Sequence, residues 1–395
     1  MPSTPIDEVH HRIKALQHAM QRHGFDAALI VQQTDLYYFS GTAQDAHLYV
    51  PAEGEPRLLV RRDFQRASEE SPLEDVMHIK SFEDVKNAVL TDGAGSLKCL
   101  GMELDVLPVN NYHVYVGLFP GTEIKDVSLL IKLVRMIKSP YEIDLIRRAA
   151  AMNDELFRLV KDILREGMSE MEFSGLLEAE YRRMGHQGYV RVRSFNQHVF
   201  YGHVMSGRNL AVPSCSVGPT GGPGANASMP HGAGSKIIQR HEPVQIDYVG
   251  VVKGYVVDQA RTYYLGEPPE EFRRIHEVAV RIQQALVEQG MPGTRAEAMY
   301  DTALRMAEEA GWSEFFLGHP MPVPFVGHGV GLELDEFPIV GKKSPHVLQE
   351  GMVIALEPKF IIPDRGLAGI ENSYAVTSTG MERLTPFDDA IQVLP

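Results

Sequence analysis

The 395-residue sequence predicts an α/β layer domain over residues 1–130, followed by a second domain over 131–395 built from long helices and acid-bearing strands. Three observations predict this. Up to about Ser128, short apolar strands alternate with helical stretches, the pattern of a layered α/β unit. Beyond it, helical runs carry their own start and stop signals. Between them lies Val244–Gly266, VQIDYVGVVKGYVVDQARTYYLG. Two β-rich runs flank Lys253-Gly254 there, which predicts an antiparallel hairpin.

The elements follow in order. From Ile6 to His23, Val9, Ile13, Leu16 and Met20 recur at helical spacing, and Gly24 stops the helix. AALIVQ reads as a buried strand, and TDLYYFSG as a turn followed by an aromatic segment. HLYVP and EPRLLVRR read as paired strands, followed by a helix near Phe82–Leu90 and the strands CLGMEL and TEIKDVS. A basic connector leads to Ser139-Pro140, where a capping serine, a first-turn proline and Glu142 open a helix reaching about Leu164. Ser169 and Glu172 form a capping-box pattern for a helix over Met168–Met184. Strands return over Tyr189–His203. Residues 205–235 are rich in Gly, Pro, Ser and Asn and read as a long loop, a feature that in compact domains usually serves function. Past the hairpin, helices are expected over Pro269–Gln289 and Arg295–Ala310, stopped by Gly290 and Gly311. EGMVIALEPKF and GLAGIENSYAVT then read as strands, each carrying one glutamate, Glu357 and Glu371.

A formal net charge of −14 argues against nucleic-acid or anionic-membrane partners. Two distant cysteines, Cys99 and Cys215, form no metal-binding spacing and suit a reducing compartment. No signal-peptide core or membrane-length apolar run is present, so the expected location is the cytoplasm.

The hairpin holds Asp247 and Asp258. A tight two-residue loop brings them opposite each other, or diagonal on one face after a small register change. Two carboxylates at that range repel unless a cation lies between them. Taken alone, one could be a turn residue and the other solvated, Glu357 and Glu371 could face water, and His328, in GHGVG, could be structural. In chain order, however, Asp247, Asp258, His328, Glu357 and Glu371 stand in IDYVGVVKGYVVDQART, GHGVGLEL, GMVIALEP and IENSYAVT. With these pieces the chain resembles the pita-bread metallopeptidases, the family of methionine aminopeptidase, aminopeptidase P, prolidase and creatinase. The resemblance runs from about Ser139 to the C-terminus and more loosely over the amino-terminal domain.

The resemblance implies an α+β pita-bread catalytic domain behind an α/β creatinase/prolidase-type domain, a homodimer, and two divalent metal ions, of manganese, cobalt, zinc or iron, with occupancy by a single ion as an alternative. It implies that Asp247 holds one ion bidentately, that Asp258 and Glu371 bridge, and that His328 and Glu357 complete the second ion. It implies a metal-bound hydroxide cutting the bond before proline in an Xaa-Pro peptide. On the same resemblance, Glu357 is expected to move the proton and His231, in SMPHGAG, to stabilise the intermediate. Phe195–His203 is expected in the pocket wall, with His198 and His203 as weaker candidates. The chain also departs from the family pattern. Asp335 stands where peptidases carry a second histidine, Gly369 where an arginine is frequent, and Asn372 where aspartate is common. Asp335 could bind a cationic group or act as acid or base, which admits a small non-peptide substrate, handled by a C–N hydrolase or a lyase. A third reading is an inactive relative that binds peptides or proteins.

Overall fold

A computed structural model describes residues 4–90, 97–215 and 218–395. It divides into two compact units, Met1–Arg135 and Met136–Pro395.

The first unit is a six-stranded mixed sheet in the order Val76–His78, Arg57–Val60, Ala46–Pro51, Ala27–Ile30, Cys99–Met102 and Glu123–Asp126. Leu29, Tyr49, Leu59 and Leu100 pack against Val85 and Val89 of one helix and Tyr115 of another. The helix Ile6–His23 buries Val9, Ile13, Leu16 and Met20, the four positions that its periodicity marks, and ends at Gly24 with φ 74°. The stretch read as a turn with an aromatic segment is instead the helix Gln33–Ser40. Gln32 caps it, and its buried Asp35 pairs with Arg135 at 2.6 Å. A buried carboxylate requires such a partner, and no local pattern announces one so far along the chain.

The second unit has two sheet halves, each backed by two helices. One half is ordered Gln392–Leu394, Tyr255–Leu265, Val244–Val252 and Gly202–Ser206. The helices Pro140–Ile163 and Glu170–Arg183 cover it through Leu156, Phe157, Phe173 and Tyr181. The other half is ordered Glu336–Gly341, Phe325–Gly329, Val353–Leu356, Asn372–Thr377 and Gly380–Arg383. It lies under Ile275, Ile282, Met299 and Ala303 of the helices Glu270–Gln289 and Ala296–Glu309. A bridge between Ala260 and Glu371 joins the halves. The Ser373 hydroxyl adds to this join, accepting from the Asp258 amide at 3.2 Å and donating to the Asp258 carbonyl at 2.8 Å.

Local chemistry sets these elements. Ser139 and Glu142 form a reciprocal capping box, and Glu142 also accepts from the Tyr255 hydroxyl at 2.9 Å, tying the helix start to the hairpin. Ser169 accepts from the Glu172 amide, but only this half of the expected box is present. Lys253 and Gly254 both have positive φ, 50° and 86°, as a two-residue hairpin turn requires. Over Tyr189–His203 only Gly202–Ser206 is a strand. Positive φ at Asn196 and Gly202 interrupts the rest, leaving one bridge, Val190 to Val199. In the long loop, Gly207–Ala211 forms a 3₁₀ turn, and residues 216 and 217 lie outside those described.

Glu170 anchors that loop. Its buried carboxylate accepts from the Ser206 amide (2.7 Å) and hydroxyl (2.8 Å), Asn209 Nδ2 (2.9 Å) and the Gly234 amide (2.9 Å). Replacing Glu170 by Ala leaves these donors unpaired and is expected to cost about 3 kcal/mol of stability. Thermal and denaturant unfolding measure this, and a loss below about 1 kcal/mol would show that the loop is held elsewhere.

Candidate metal and catalytic site

The hairpin register pairs Asp247 with Ala260 and Asp258 with Val249. The two aspartates are therefore diagonal neighbours on one face rather than directly opposite. His328 lies on the strand Phe325–Gly329. The two glutamates are not inside strands. Glu357 follows Val353–Leu356, and Pro358, which lacks a donor, separates it from Lys359–Ile362. Glu371 stands between Gly366–Gly369 and Asn372–Thr377. Each predicted strand is thus two strands broken at its acid, which releases the carboxylate from the pleat and turns it into the site.

All five residues line one cavity, together with His203, His231, Asp335 and Lys359. Ligand atoms of Asp258, His328 and Glu371 lie within 4.8 Å of one another. His328 Nε2 is 3.7 Å from Asp258 Oδ2 and 3.9 Å from both Glu357 Oε1 and Glu371 Oε1. Such separations fit ligand atoms ranged about one ion with bonds of about 2.1 Å. Among the described residues, Asp258 Oδ1 and Glu371 Oε1 are buried without a hydrogen-bond partner. Glu371 Oε1 faces His328 Nε2, as Asp258 does through its other oxygen, and buried carboxylates left with unpartnered oxygens around an imidazole nitrogen are the donor set of a divalent cation. On the far side of its ring, His328 Nδ1 is 3.1 Å from the Leu334 carbonyl, a contact that keeps the proton there and leaves Nε2 free to bind.

The neighbouring half of the site holds a residue that the sequence reading missed. Lys359 Nζ donates to Asp247 Oδ2 at 2.7 Å, Glu357 Oε2 at 2.9 Å and Glu371 Oε2 at 2.7 Å. The available signal was a lysine in an otherwise apolar strand, two residues after a candidate ligand and therefore on the same face. Burial pulls Lys359 down, but Asp247, Glu357 and Glu371 outweigh it and raise its pKa well above the usual range. Burial pushes Asp247 up, yet Lys359 and His203 hold it below its ordinary value. Burial and the charges of Glu371 and Asp247 drive Asp258 well above the carboxylate range. Burial also raises Glu371, to about 8, against the pull of Lys359.

The remaining candidates separate. His231 and His203 touch through their Nε2 atoms, with ring centroids 4.0 Å apart. His198 is exposed and outside the cavity wall, and Phe195 points into solvent at 91% exposure. Of Phe195–His203, only Gln197, Val199, Gly202 and His203 line the cavity. Asp335 lines it too, 38% exposed and 3.6 Å from His328 Nδ1. Asn372 faces away. It accepts from Arg261 at 2.7 Å and from Thr385 at 2.9 Å, and donates to Gln283 at 2.8 Å. The buried Arg261 also donates to the Glu371 carbonyl at 2.9 Å, fixing the backbone that carries this acid.

A buried cluster of four carboxylates and one imidazole between two helix-backed sheet halves defines a metallohydrolase centre. Residues 144–378 match the family described as Metallopeptidase family M24, and residues 12–137 match the Creatinase/Prolidase N-terminal domain. The chain belongs to metallopeptidase family M24, with a pita-bread catalytic domain behind a creatinase/prolidase-type amino-terminal domain. It is 28% identical to an Xaa-Pro dipeptidase of Pyrococcus furiosus, over 95% of this chain and 97% of that protein. Among solved structures, the prolidase of Pyrococcus horikoshii OT3 superposes with a TM-score of 0.79 at 28% identity, covering 96% of this chain and 99% of its own. An Xaa-Pro dipeptidase from Bacillus anthracis does so with a TM-score of 0.82 at 26% identity, covering 98% and 100%.

Desolvation by the cavity wall pushes His203 down to about 3, helped by the adjacent His231. An unfolded histidine titrates near 6.5, so between these values the unfolded chain binds the extra proton. Stability contributed by a neutral His203 is complete above about pH 6.5 and is lost as pH falls toward 3, by roughly 1 kcal/mol per pH unit. The His203→Gln variant should therefore lose less stability than the wild type between pH 7 and pH 5 in denaturant titrations. Parallel losses would contradict this.

Proposed function

We propose that the chain is a metal-dependent Xaa-Pro peptidase that releases the residue before proline from dipeptides or short peptides. One observation carries this reading: the cage of Asp258, His328 and Glu371 opens on the same cavity as the His231–His203 pair, in a chain whose relatives are named Xaa-Pro dipeptidases. Asp258, His328 and Glu371 would hold a divalent ion, with Glu357 Oε1 at its edge. Oxygen ligands with one imidazole suit manganese, cobalt, iron or zinc, and manganese is the ion to test first. Bound there, the ion supplies Lewis-acid polarisation of the peptide carbonyl.

The chain's own groups supply the rest. Lys359 fixes Glu357 Oε2, so Oε1 faces the cavity and can take a proton from the attacking water. Glu357 returns that proton to the proline nitrogen as the C–N bond breaks, and the products are an amino acid or peptide carboxylate and a free imino terminus. Burial lowers the pKa of His231, so its ring is neutral near pH 7 and can donate a hydrogen bond to the developing oxyanion. Asp335, on the cavity wall, offers its carboxylate to a cationic group such as a substrate's free amino terminus. The same carboxylate favours the second reading, a small cationic amide or lyase substrate. The acidic charge, the two unpaired cysteines and the absence, among the described residues, of a helix able to cross a membrane support a cytoplasmic location. Exposed Val109, Val114 and Val116 on one amino-terminal helix support self-association as a homodimer. We assign the amino-terminal role to residues 1–130 and catalysis to 131–395.

The deciding assay is release of the first residue from Leu-Pro, Met-Pro and Xaa-Pro-Xaa peptides, with and without Mn²⁺. Metal-dependent cleavage confined to the bond before proline is expected. Turnover of a small cationic amide with none of any Xaa-Pro peptide would transfer the site to the second reading. His328→Ala should remove measurable turnover together with bound metal. His231→Ala should lower kcat about 10²–10³-fold while leaving metal content unchanged. Metal loss in His231→Ala would place that histidine among the ligands instead.

A further inference from the structure

The expectation of two ions fits only one half of this site. The Asp258–His328–Glu371 half has orphaned oxygens, whereas the Asp247 half is already filled by a side chain. Lys359 is 1% exposed, and its three ammonium donors match three carboxylates at 2.7–2.9 Å. Glu371 divides its oxygens between the halves. Oε2 accepts from Lys359, while Oε1 is turned to His328 without a partner. That is the posture of a carboxylate bridging two cations, one of them the ammonium.

The backbone around Lys359 makes room for this. Lys359 pairs with Gly369 across the two-stranded ribbon. A Cβ at Gly369 would stand 2.7 Å from Lys359 Cα and 2.8 Å from its Cγ, closer than side chains approach. The Pro358 carbonyl oxygen lies at 2.8 Å as well, so the strands pass too closely for any side chain at 369, and the lysine stem threads the same narrow space. A second ion held by Asp247 with the bridging Asp258 and Glu371 would have to approach Asp247 Oδ2 and Glu371 Oε2 to about 2.1 Å, and both oxygens already accept from Nζ.

We propose that Lys359 is a built-in replacement for the second metal, so that each chain takes one divalent ion, in the Asp258–His328–Glu371 cage. The inference rests on the metal-binding reading above, and the test separates the two. Mn²⁺ is titrated into chelator-treated full-length protein, with stoichiometry read by calorimetry and elemental analysis and spin coupling by electron paramagnetic resonance. Wild type should bind one ion per chain with an uncoupled six-line signal. The Lys359→Ala variant should bind two, with the broadened spectrum of a coupled pair, and the His328→Ala variant should lose the wild-type ion. Two ions or a coupled spectrum in wild type would overturn the role of Lys359 while leaving the metallopeptidase reading intact, and this result does not depend on any variant folding. A single ion in both wild type and Lys359→Ala would also overturn it. No ion in either protein would overturn the cage itself and the Lys359 proposal with it.

Discussion

Four carboxylates, those of Asp247, Asp258, Glu357 and Glu371, are turned inward to a common point where water cannot fully solvate them. Their mutual repulsion is the constraint around which the catalytic domain is built, because a folded state must relieve it with cations at short range or with protons. The chain answers in two ways. It delivers one ammonium of its own, the side chain of Lys359, and it leaves a second set of oxygens, those of Asp258 and Glu371, arranged about His328. Even with the lysine, negative charge remains in excess, and the burial-driven rise of Asp258 and Glu371 expresses it.

Holding such a cluster in place requires stiffness behind it. Arg261 ties together the carbonyls of Ala260, Glu371, Phe387 and Asp388 with the side chain of Asn372. Arg383 and Asp389 extend the same net, meeting each other at 2.6 Å and reaching Asn372. The net lies at the join of the two sheet halves, so the position of Glu371 is set by groups that never face the cavity. On the other wall, Glu170 does the corresponding work for the loop that carries His231.

Much of this was legible in the sequence because it was local. Helix starts at Ser139, stops at Gly24 and the Lys253-Gly254 turn each depend on a few adjacent residues, and the structure places them as the patterns predict. The five acid and imidazole positions, each ambiguous alone, were singled out by the motifs that carry the family resemblance. What escaped depended on distant partners. The helix Gln33–Ser40 contains Asp35, whose partner Arg135 is a hundred residues away. The breaks at Glu357 and Glu371 arise where the chain passes between sheets, which strand periodicity does not register. Asn372 looked like an altered site residue and proves to be a scaffold amide. Lys359 escaped because a lysine in a strand is ordinarily a surface residue, and only the convergence of three carboxylates from separate segments makes this one interior.

The close approach of Gly369 to Lys359 also constrains how these two positions can change. A side chain at 369 would meet Lys359 Cα at 2.7 Å, Lys359 Cγ at 2.8 Å and the Pro358 carbonyl oxygen at 2.8 Å. The first and third of these atoms are backbone, so they remain whatever residue stands at 359. Position 369 is therefore closed to any side chain for as long as the ribbon keeps this spacing: a lineage could exchange the lysine freely and still need glycine at 369, and a side chain there requires the two strands themselves to move apart.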